Sequence, residues 1–434
     1  MNIWDPQWEC ADRQALQDHQ FALLVENIKY IYKRVPYYRT KMQDKGLTPS
    51  DITSLEDLRL LPFTTKQDFM DNYPFGMFAV PIREVVRVHG SSGTTTGKST
   101  IVGYTRQDLD TWAELCARVA VAGGVSSDDI AQICFGYGLF TGGFGMHFGI
   151  EKIGALVLPI SSGGTERQIR FIQDFGSTTI VSTPTYALHL AETARDIGID
   201  LSQSSLRWGL FGGEPCSDHA QREIDKQLGI TSTDNYGLSE LIGPGLSGEC
   251  LERAGLHINE DHFIFEVINP DTGEPLPPGE VGELVVSTLT KEAVPLLRYR
   301  TRDLSVIDLA PCPCGRTNAR MAKVRGRTDD MLIIKGVNVF PSQIEDILLQ
   351  VEHTEPHYQI IVFKDGALDA LEVQVEVTEE MFTDEMKMLK GKEDEIRHRL
   401  KSELGIDCKV KLVEPKSLQR YTGKAQRVVD RRNK

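Results

Sequence analysis

Eight cysteines in 434 residues are too few and too scattered for a disulfide scaffold, so reduced thiols and a cytoplasmic setting are expected. No apolar run approaches the roughly 20 residues of a membrane span. The polar start Met1-Asn2-Ile3-Trp4-Asp5 does not read as a secretory leader, and no membrane partner is expected. Positive charge is also short, with 48 Lys and Arg against 62 Asp and Glu, a net −14 at pH 7. That balance argues against a general nucleic-acid surface. An anionic ligand must then be met by local lysines, arginines and backbone amides. Internal repeats and low-complexity linkers are missing too, which leaves an ordinary globular composition, 40% hydrophobic and 25% charged. The length exceeds one core, so two or more domains are expected.

A Walker A loop is absent as well, although one segment imitates it. Residues 91–99, Ser-Ser-Gly-Thr-Thr-Thr-Gly-Lys-Ser, place eight small glycine or hydroxyl residues around one lysine. Such a segment wraps polyphosphate: glycines admit backbone N–H groups, hydroxyls add donors and Lys98 adds a point charge. Walker A spacing, however, requires a glycine where Ser92 stands, and Gly93 comes one residue too late. The loop is a phosphate cradle of another kind.

The first 80 residues read as helical, punctuated by Pro36, Pro62 and Pro74. From 130 to 236 strands alternate with helices. Ile130–Phe135, Ala155–Ile160, Thr179–Ser182, Leu206–Phe211 and Ser232–Tyr236 read as buried strands, with helices near 144–153, 166–175, 185–197 and 218–228. Thr165-Glu166-Arg167-Gln168 reads as a capping box opening the second of these helices. The alternation predicts an α/β fold with a doubly wound, mostly parallel sheet, whose ligands sit at the carboxyl ends of strands. Residues 251–327 look β-rich, and 328–434 predict a small α+β domain. The expected division is a large domain over 1–327, with a helical segment 1–80 and an α/β core 81–250, followed by the small domain.

Four further segments stand in order behind the loop. They are Asp234-Asn-Tyr-Gly-Leu-Ser-Glu240, Tyr299-Arg-Thr-Arg-Asp303, Arg325-Gly-Arg-Thr-Asp-Asp330 with Gly336, and Gly423-Lys424. Together they resemble the adenylate-forming superfamily of acyl-CoA synthetases. Gly136-Tyr-Gly-Leu-Phe-Thr-Gly-Gly143 and the turn Pro278-Gly279-Glu280 make the resemblance closest to its phenylacetate–CoA ligase branch. It spans nearly the whole chain. One departure stands out: the loop carries three threonines and Gly-Lys-Ser, where the branch usually shows two threonines and Gly-Lys-Pro.

The resemblance implies an AMP-forming aryl-acid:CoA ligase using ATP, coenzyme A and Mg²⁺. In that role Ser91, Ser92, Gly93, Thr94, Thr95, Thr96 and Lys98 hold the β- and γ-phosphates. Glu240 binds Mg²⁺, a hard cation suited to carboxylate and phosphate oxygens. Asp303 accepts from the ribose hydroxyls, Arg327 reaches the nucleotide, and Gly213, Glu214, Pro215, Asp234, Tyr236 and Gly237 border the adenine. Lys424 donates to the α-phosphate and carboxylate oxygens, while Asp329 serves as hinge and Gly336 lines the CoA channel of a mobile C-terminal domain. A homodimer is the family's implied assembly. Tyr137, Phe140, Gly142 and Gly143 are candidates for a flat apolar acyl slot, with core packing an equal reading for Phe140.

Cys250-x6-His257 followed by Cys312-Pro-Cys314 supplies three thiols and an imidazole, the tetrahedral set of a structural Zn²⁺. Two rival functions stay open: adenylyl transfer of the kind carried out by coenzyme F390 synthetases, and a non-catalytic nucleotide-binding regulator.

Overall fold

Side chains alternate across the central strands, and both faces they present are apolar. Val181 and Leu210 enter one buried cluster with Ala131 and Ile133, while the adjoining Ile180 and Phe211 enter a second. A sheet buried on both faces needs helices on both. The computed structural model describes residues 2–91, 100–334, 337–365, 368–382, 386–421 and 425–432, and it has this layering. Helices Arg106–Ala122 and Gly142–Ile153 cover one face, and Thr165–Phe175, Pro184–Asp196 and Asp218–Leu228 cover the other.

Among the described residues the main sheet has nine strands. Its parallel part runs Thr231–Leu238, Trp208–Gly212, Thr179–Ser182, Ile130–Ile133, Leu156–Leu158. Beyond Thr231–Leu238 it continues antiparallel through Gly243–Glu249, Leu256–Ile258, Arg320–Met321 and Ile307–Asp308. The parallel winding therefore occupies one half of the sheet, and part of the β-rich stretch is an extension of the other half. The rest of that stretch forms a four-stranded sheet of Phe263–Ile268, Gly282–Thr288, Tyr299–Ser305 and Gly326–Arg327. The N-terminal helices Arg13–Arg34 and Pro36–Asp44 pack against this region through Leu24, Ile28, Ile31 and Tyr38.

The C-terminal part has its own core. Helices Pro341–Leu348 and Met386–Leu404 cover a four-stranded sheet ordered Lys409–Val413, Leu368–Val377, Thr354–Asp365, Val428–Asp430.

The expected capping box at Thr165 does not form. The N-cap is Gly164, at φ +62°, and no side chain caps the helix. Gln168 is instead fully buried: its amide nitrogen donates to the Ser161 carbonyl at 2.6 Å, and its Oε1 accepts from Gln132 at 2.7 Å. A buried amide whose hydrogen bonds are met inside the protein outweighs a cap that solvent can replace.

Candidate active site

The carboxyl ends of the parallel strands open onto a cavity of about 460 Å³. Ser91, Phe140, Gly142, Gly213, Gly237, Glu240, Arg327 and Asp329 all line it. A narrower recess of about 110 Å³ adjoins it and shares Gly213, Gly237 and Arg327. Glu214, Pro215, Asp234, Tyr236 and Asp303 complete that recess. Residues scattered from 91 to 329 are thus brought to one place.

Asp303 lies on the strand Tyr299–Ser305, directly across from Arg327 in the register of the small sheet. Its two oxygens are engaged separately: Oδ1 accepts from Arg327 Nη1 at 3.0 Å and Oδ2 from Tyr236 Oη at 2.6 Å. Arg327 also donates to Asp329 at 2.9 and 3.1 Å, so its guanidinium is held from two sides. Burial pulls the Arg327 pKa down, but Asp303 and Asp329 outweigh it and leave it above the ordinary value. Burial, then the Asp303 charge, pushes the Tyr236 hydroxyl well up. Tyr236 therefore stays a neutral donor. Asp234 also borders the recess, where burial and the neighbouring Glu249 hold its carboxyl well above the usual range.

At the other end of the cavity Glu240 is buried and accepts from Thr100 Oγ1 at 3.1 Å. Thr100 Oγ1 in turn lies 2.6 Å from Ser91 Oγ, which ties the start of the glycine-rich segment to this carboxylate. A break in pairing between Tyr236 and Gly237 turns the chain toward Glu240. Only glycine fits there, because a Cβ on Gly237 would run into the Gly243 carbonyl. Phe135 and Phe140 form the apolar wall, and a Cβ on Gly142 would come within 2.7 Å of the Phe140 ring.

Tyr137 and Gly143 are not among the lining residues. The Tyr137 hydroxyl is 3.0 Å from His147 Nδ1, and its ring packs edge-on against Phe144. Gly143 sits where a Cβ would come within 3.1 Å of the Gly136 carbonyl. Ser92, Gly93, Thr94, Thr95, Thr96, Lys98, Gly336 and Lys424 lie outside the described residues.

Several functional contacts escaped the sequence. Glu214 borders the recess, yet its carboxylate is taken by two backbone donors: Thr185 N at 2.7 Å and Ala425 N at 3.1 Å. The residue after Lys424 is thereby fixed to the large part of the chain. Arg420 does the same on a larger scale. It donates to Glu192 at 2.9 and 2.6 Å and to the fully buried Glu376 at 2.8 Å through two nitrogens. His357 lies 3.3 Å from the same Glu192. The one signal for Arg420 was its position four residues before Lys424, and a basic tail masks it.

The four proposed metal ligands meet at the far end of the main sheet, all buried, with ligand atoms within 4.8 Å of one another. Cys250 Sγ and Cys312 Sγ are 3.7 Å apart, and Cys314 Sγ is 3.4 Å from His257 Nε2. That sulfur spacing is far too long for a disulfide of about 2.05 Å. It matches the roughly 3.8 Å between two sulfurs held about 2.3 Å from a tetrahedral zinc. Burial, with Arg316 and Arg320 adding to it, lowers His257 to about 3, so the imidazole is neutral and free to ligate. Burial raises the Cys314 thiol, but the Arg316 backbone N–H and guanidinium outweigh it and leave it below its ordinary value. The N-terminal segment is pinned here too: Arg316 contacts Glu9 and Asn2, and Asn318 donates to Trp8.

Fold and cavity together define an AMP-binding enzyme. The AMP-binding enzyme family matches residues 91–290, and the AMP-binding enzyme C-terminal domain matches residues 336–432. The phenylacetate-coenzyme A ligase of Escherichia coli is 50% identical over 98% of this chain and 97% of that protein. That of Thermus thermophilus is 47% identical over 99% of this chain and all of its relative. The chain belongs to the phenylacetate-coenzyme A ligase family and is an AMP-forming acid–thiol ligase. Among solved structures, 2-hydroxyisobutyryl-CoA ligase in its postadenylation state superposes with a TM-score of 0.94 at 28% identity, covering 99% of this chain and 92% of that one. The same ligase in its thioesterification state scores 0.73 over 99% and 93%. The described arrangement is the one that resembles the postadenylation state.

Proposed function

We propose that this chain activates an aryl acid, phenylacetate first among candidates, as its acyl-adenylate and then transfers the acyl group to the thiol of coenzyme A. The observation that carries the reading is a cavity lined by Glu240, Arg327 and the Phe135–Phe140 wall, adjoined by a recess that Asp303 and Tyr236 border and that shares Arg327 with it. Attack of a carboxylate on the α-phosphate needs two anions brought together and the developing charge neutralised. In this reading Asp303 receives the ribose hydroxyls, Arg327 faces the nucleotide, and Asp234, Tyr236 and Gly213–Pro215 border the adenine. Glu240 would hold Mg²⁺, which supplies charge for the phosphates and leaving pyrophosphate. Ser91 begins the phosphate cradle continued by Ser92–Thr96 and Lys98. Lys424, beside the Glu214-bound Ala425, is assigned to the α-phosphate and carboxylate oxygens. We place the domain boundary after Arg327, with Asp329 at the hinge and Gly336 toward the CoA path. The homologues bear the name phenylacetate-coenzyme A ligase, and an aryl ring suits two phenylalanines.

A screen of aryl and alkyl acids tests the reading directly. With phenylacetate or a related arylacetate, pyrophosphate release should depend on the acid, and AMP and thioester should accumulate only when CoA is added. AMP transfer without CoA, or no response to any aryl acid, would contradict it. Asp303→Ala removes a charged acceptor and should raise the ATP KM about 10- to 100-fold. An unchanged ATP KM would remove Asp303 from the nucleotide site.

Cys250, His257, Cys312 and Cys314 are assigned to one structural Zn²⁺. All four positions are filled by protein, so the ion would cross-link strand ends and stabilise the fold, leaving the chemistry to the cavity. Metal analysis should find about one zinc per chain, and Cys312→Ser should lower the unfolding midpoint while leaving the ATP KM unchanged. Protein that is metal-free yet equally stable would exclude the site.

A further inference from the structure

His89 is a costly residue for its place. It is fully buried at the end of the strand Arg87–Gly90, one residue before Gly90 and two before Ser91. Tyr104, Trp112 and Phe144 surround its ring edge-on at 5.4, 5.4 and 5.5 Å. A leucine or phenylalanine would fill such an aromatic box without bringing in polar nitrogens. One of those nitrogens, Nε2, is buried with no hydrogen-bond partner among the described residues. The other, Nδ1, lies 3.0 Å from the Leu139 carbonyl. Since a carbonyl only accepts, Nδ1 carries the proton and Nε2 does not. Burial first, with Arg87 and Lys291 adding to it, lowers this imidazole to about 4, which keeps the neutral tautomer in place.

The Leu139 carbonyl also accepts from Gly90 N at 2.9 Å. Two successive residues leading into the phosphate segment therefore grip one carbonyl of the loop that carries Phe140. From that point a closed circuit can be traced. Ser91 meets Thr100, Thr100 donates to Glu240, and Ser239 beside it lies 3.1 Å from Thr141, next to Phe140. The circuit links the acyl wall to the carboxylate assigned to Mg²⁺, and His89 closes it.

We propose that His89 is a positioning residue which, through Nδ1, sets the register of the Leu139–Phe140 loop against the phosphate segment and so fixes where the acid carboxylate lies relative to the α-phosphate. This rests on the adenylation reading above. Its readout is a split between substrates: loosening the loop impairs capture of the acid, whereas ATP, held mainly at the Asp303 end, is little affected.

Three variants test this by acid-dependent pyrophosphate release. His89→Leu should raise the KM for the aryl acid about tenfold or more while the ATP KM stays within about twofold. His89→Asn, whose amide nitrogen occupies the Nδ1 position, should return the acid KM to within about threefold of the parent, whereas His89→Gln, with its nitrogen near the Nε2 position, should not. If the leucine variant does not fold, the contrast between Asn and Gln decides alone. An unchanged acid KM in His89→Leu, equal effects of Asn and Gln, or matching rises in both KM values would overturn the assignment. A parent enzyme that releases no pyrophosphate with any aryl acid would overturn the functional reading itself.

Discussion

Arg420 holds two carboxylates at once, and the placement of the small C-terminal part on the rest of the molecule depends on it. Its guanidinium fork meets Glu376 on its own side and Glu192 across the junction, each through two nitrogens. Charge-assisted bidentate pairs fix geometry as well as energy. Glu376 is further anchored by the backbone N–H groups of Lys416 and Leu418, so Arg420 projects from a rigid platform. On the same side of the junction Ala425 N donates to Glu214, a residue that borders the recess. A buried pair of this kind adds little net stability, because desolvation offsets much of the attraction. What it specifies is one arrangement among alternatives, and 2-hydroxyisobutyryl-CoA ligase shows that such alternatives exist in a similar structure.

Among the described residues Lys66, Arg300, Arg302 and Arg327 are the cationic groups that line the cavity. Arg327 is bracketed by Asp303 and Asp329, so its charge is largely balanced before any nucleotide enters. Binding would then rest on exchange: ribose hydroxyls donate to Asp303 while the guanidinium faces phosphate. A net charge of −14 makes such local balancing necessary.

The order of short motifs singled out several residues that the structure brings to the candidate site. Tyr236 and Glu240 lie on and just after the last strand of the parallel winding, whereas Asp303 and Arg327 come from the separate antiparallel sheet, and the Tyr236–Asp303 hydrogen bond joins the two sets. The Cys250, His257, Cys312 and Cys314 set was legible from residue type alone, and the structure brings the four together. What could not be read has physical causes. Gly243–Glu249 contains three glycines and a proline, a composition that argues against a strand, yet all seven residues are buried in the main sheet. Its glycines are required by helix Arg106–Ala122, since a Cβ on Gly245 or Gly248 would press on Leu115 or Val119. Tyr137 reads as an acyl-pocket residue from its motif but turns to His147, a partner ten residues on that no local pattern signals. Arg420 and His89 carry no local signal, because Glu192 and Leu139, which they meet, lie 228 and 50 residues away.

The described arrangement superposes better on the postadenylation state of 2-hydroxyisobutyryl-CoA ligase than on its thioesterification state. A single-turnover comparison of the two half-reactions tests most directly whether the Arg420 contact holds that arrangement. Arg420→Ala removes the contact between the parts and leaves the cavity lining in place. Formation of the acyl-adenylate from acid and ATP should slow about tenfold or more, while CoA-dependent consumption of supplied acyl-adenylate proceeds at the parent rate. Equal slowing of both halves, or no effect on the first, would contradict it.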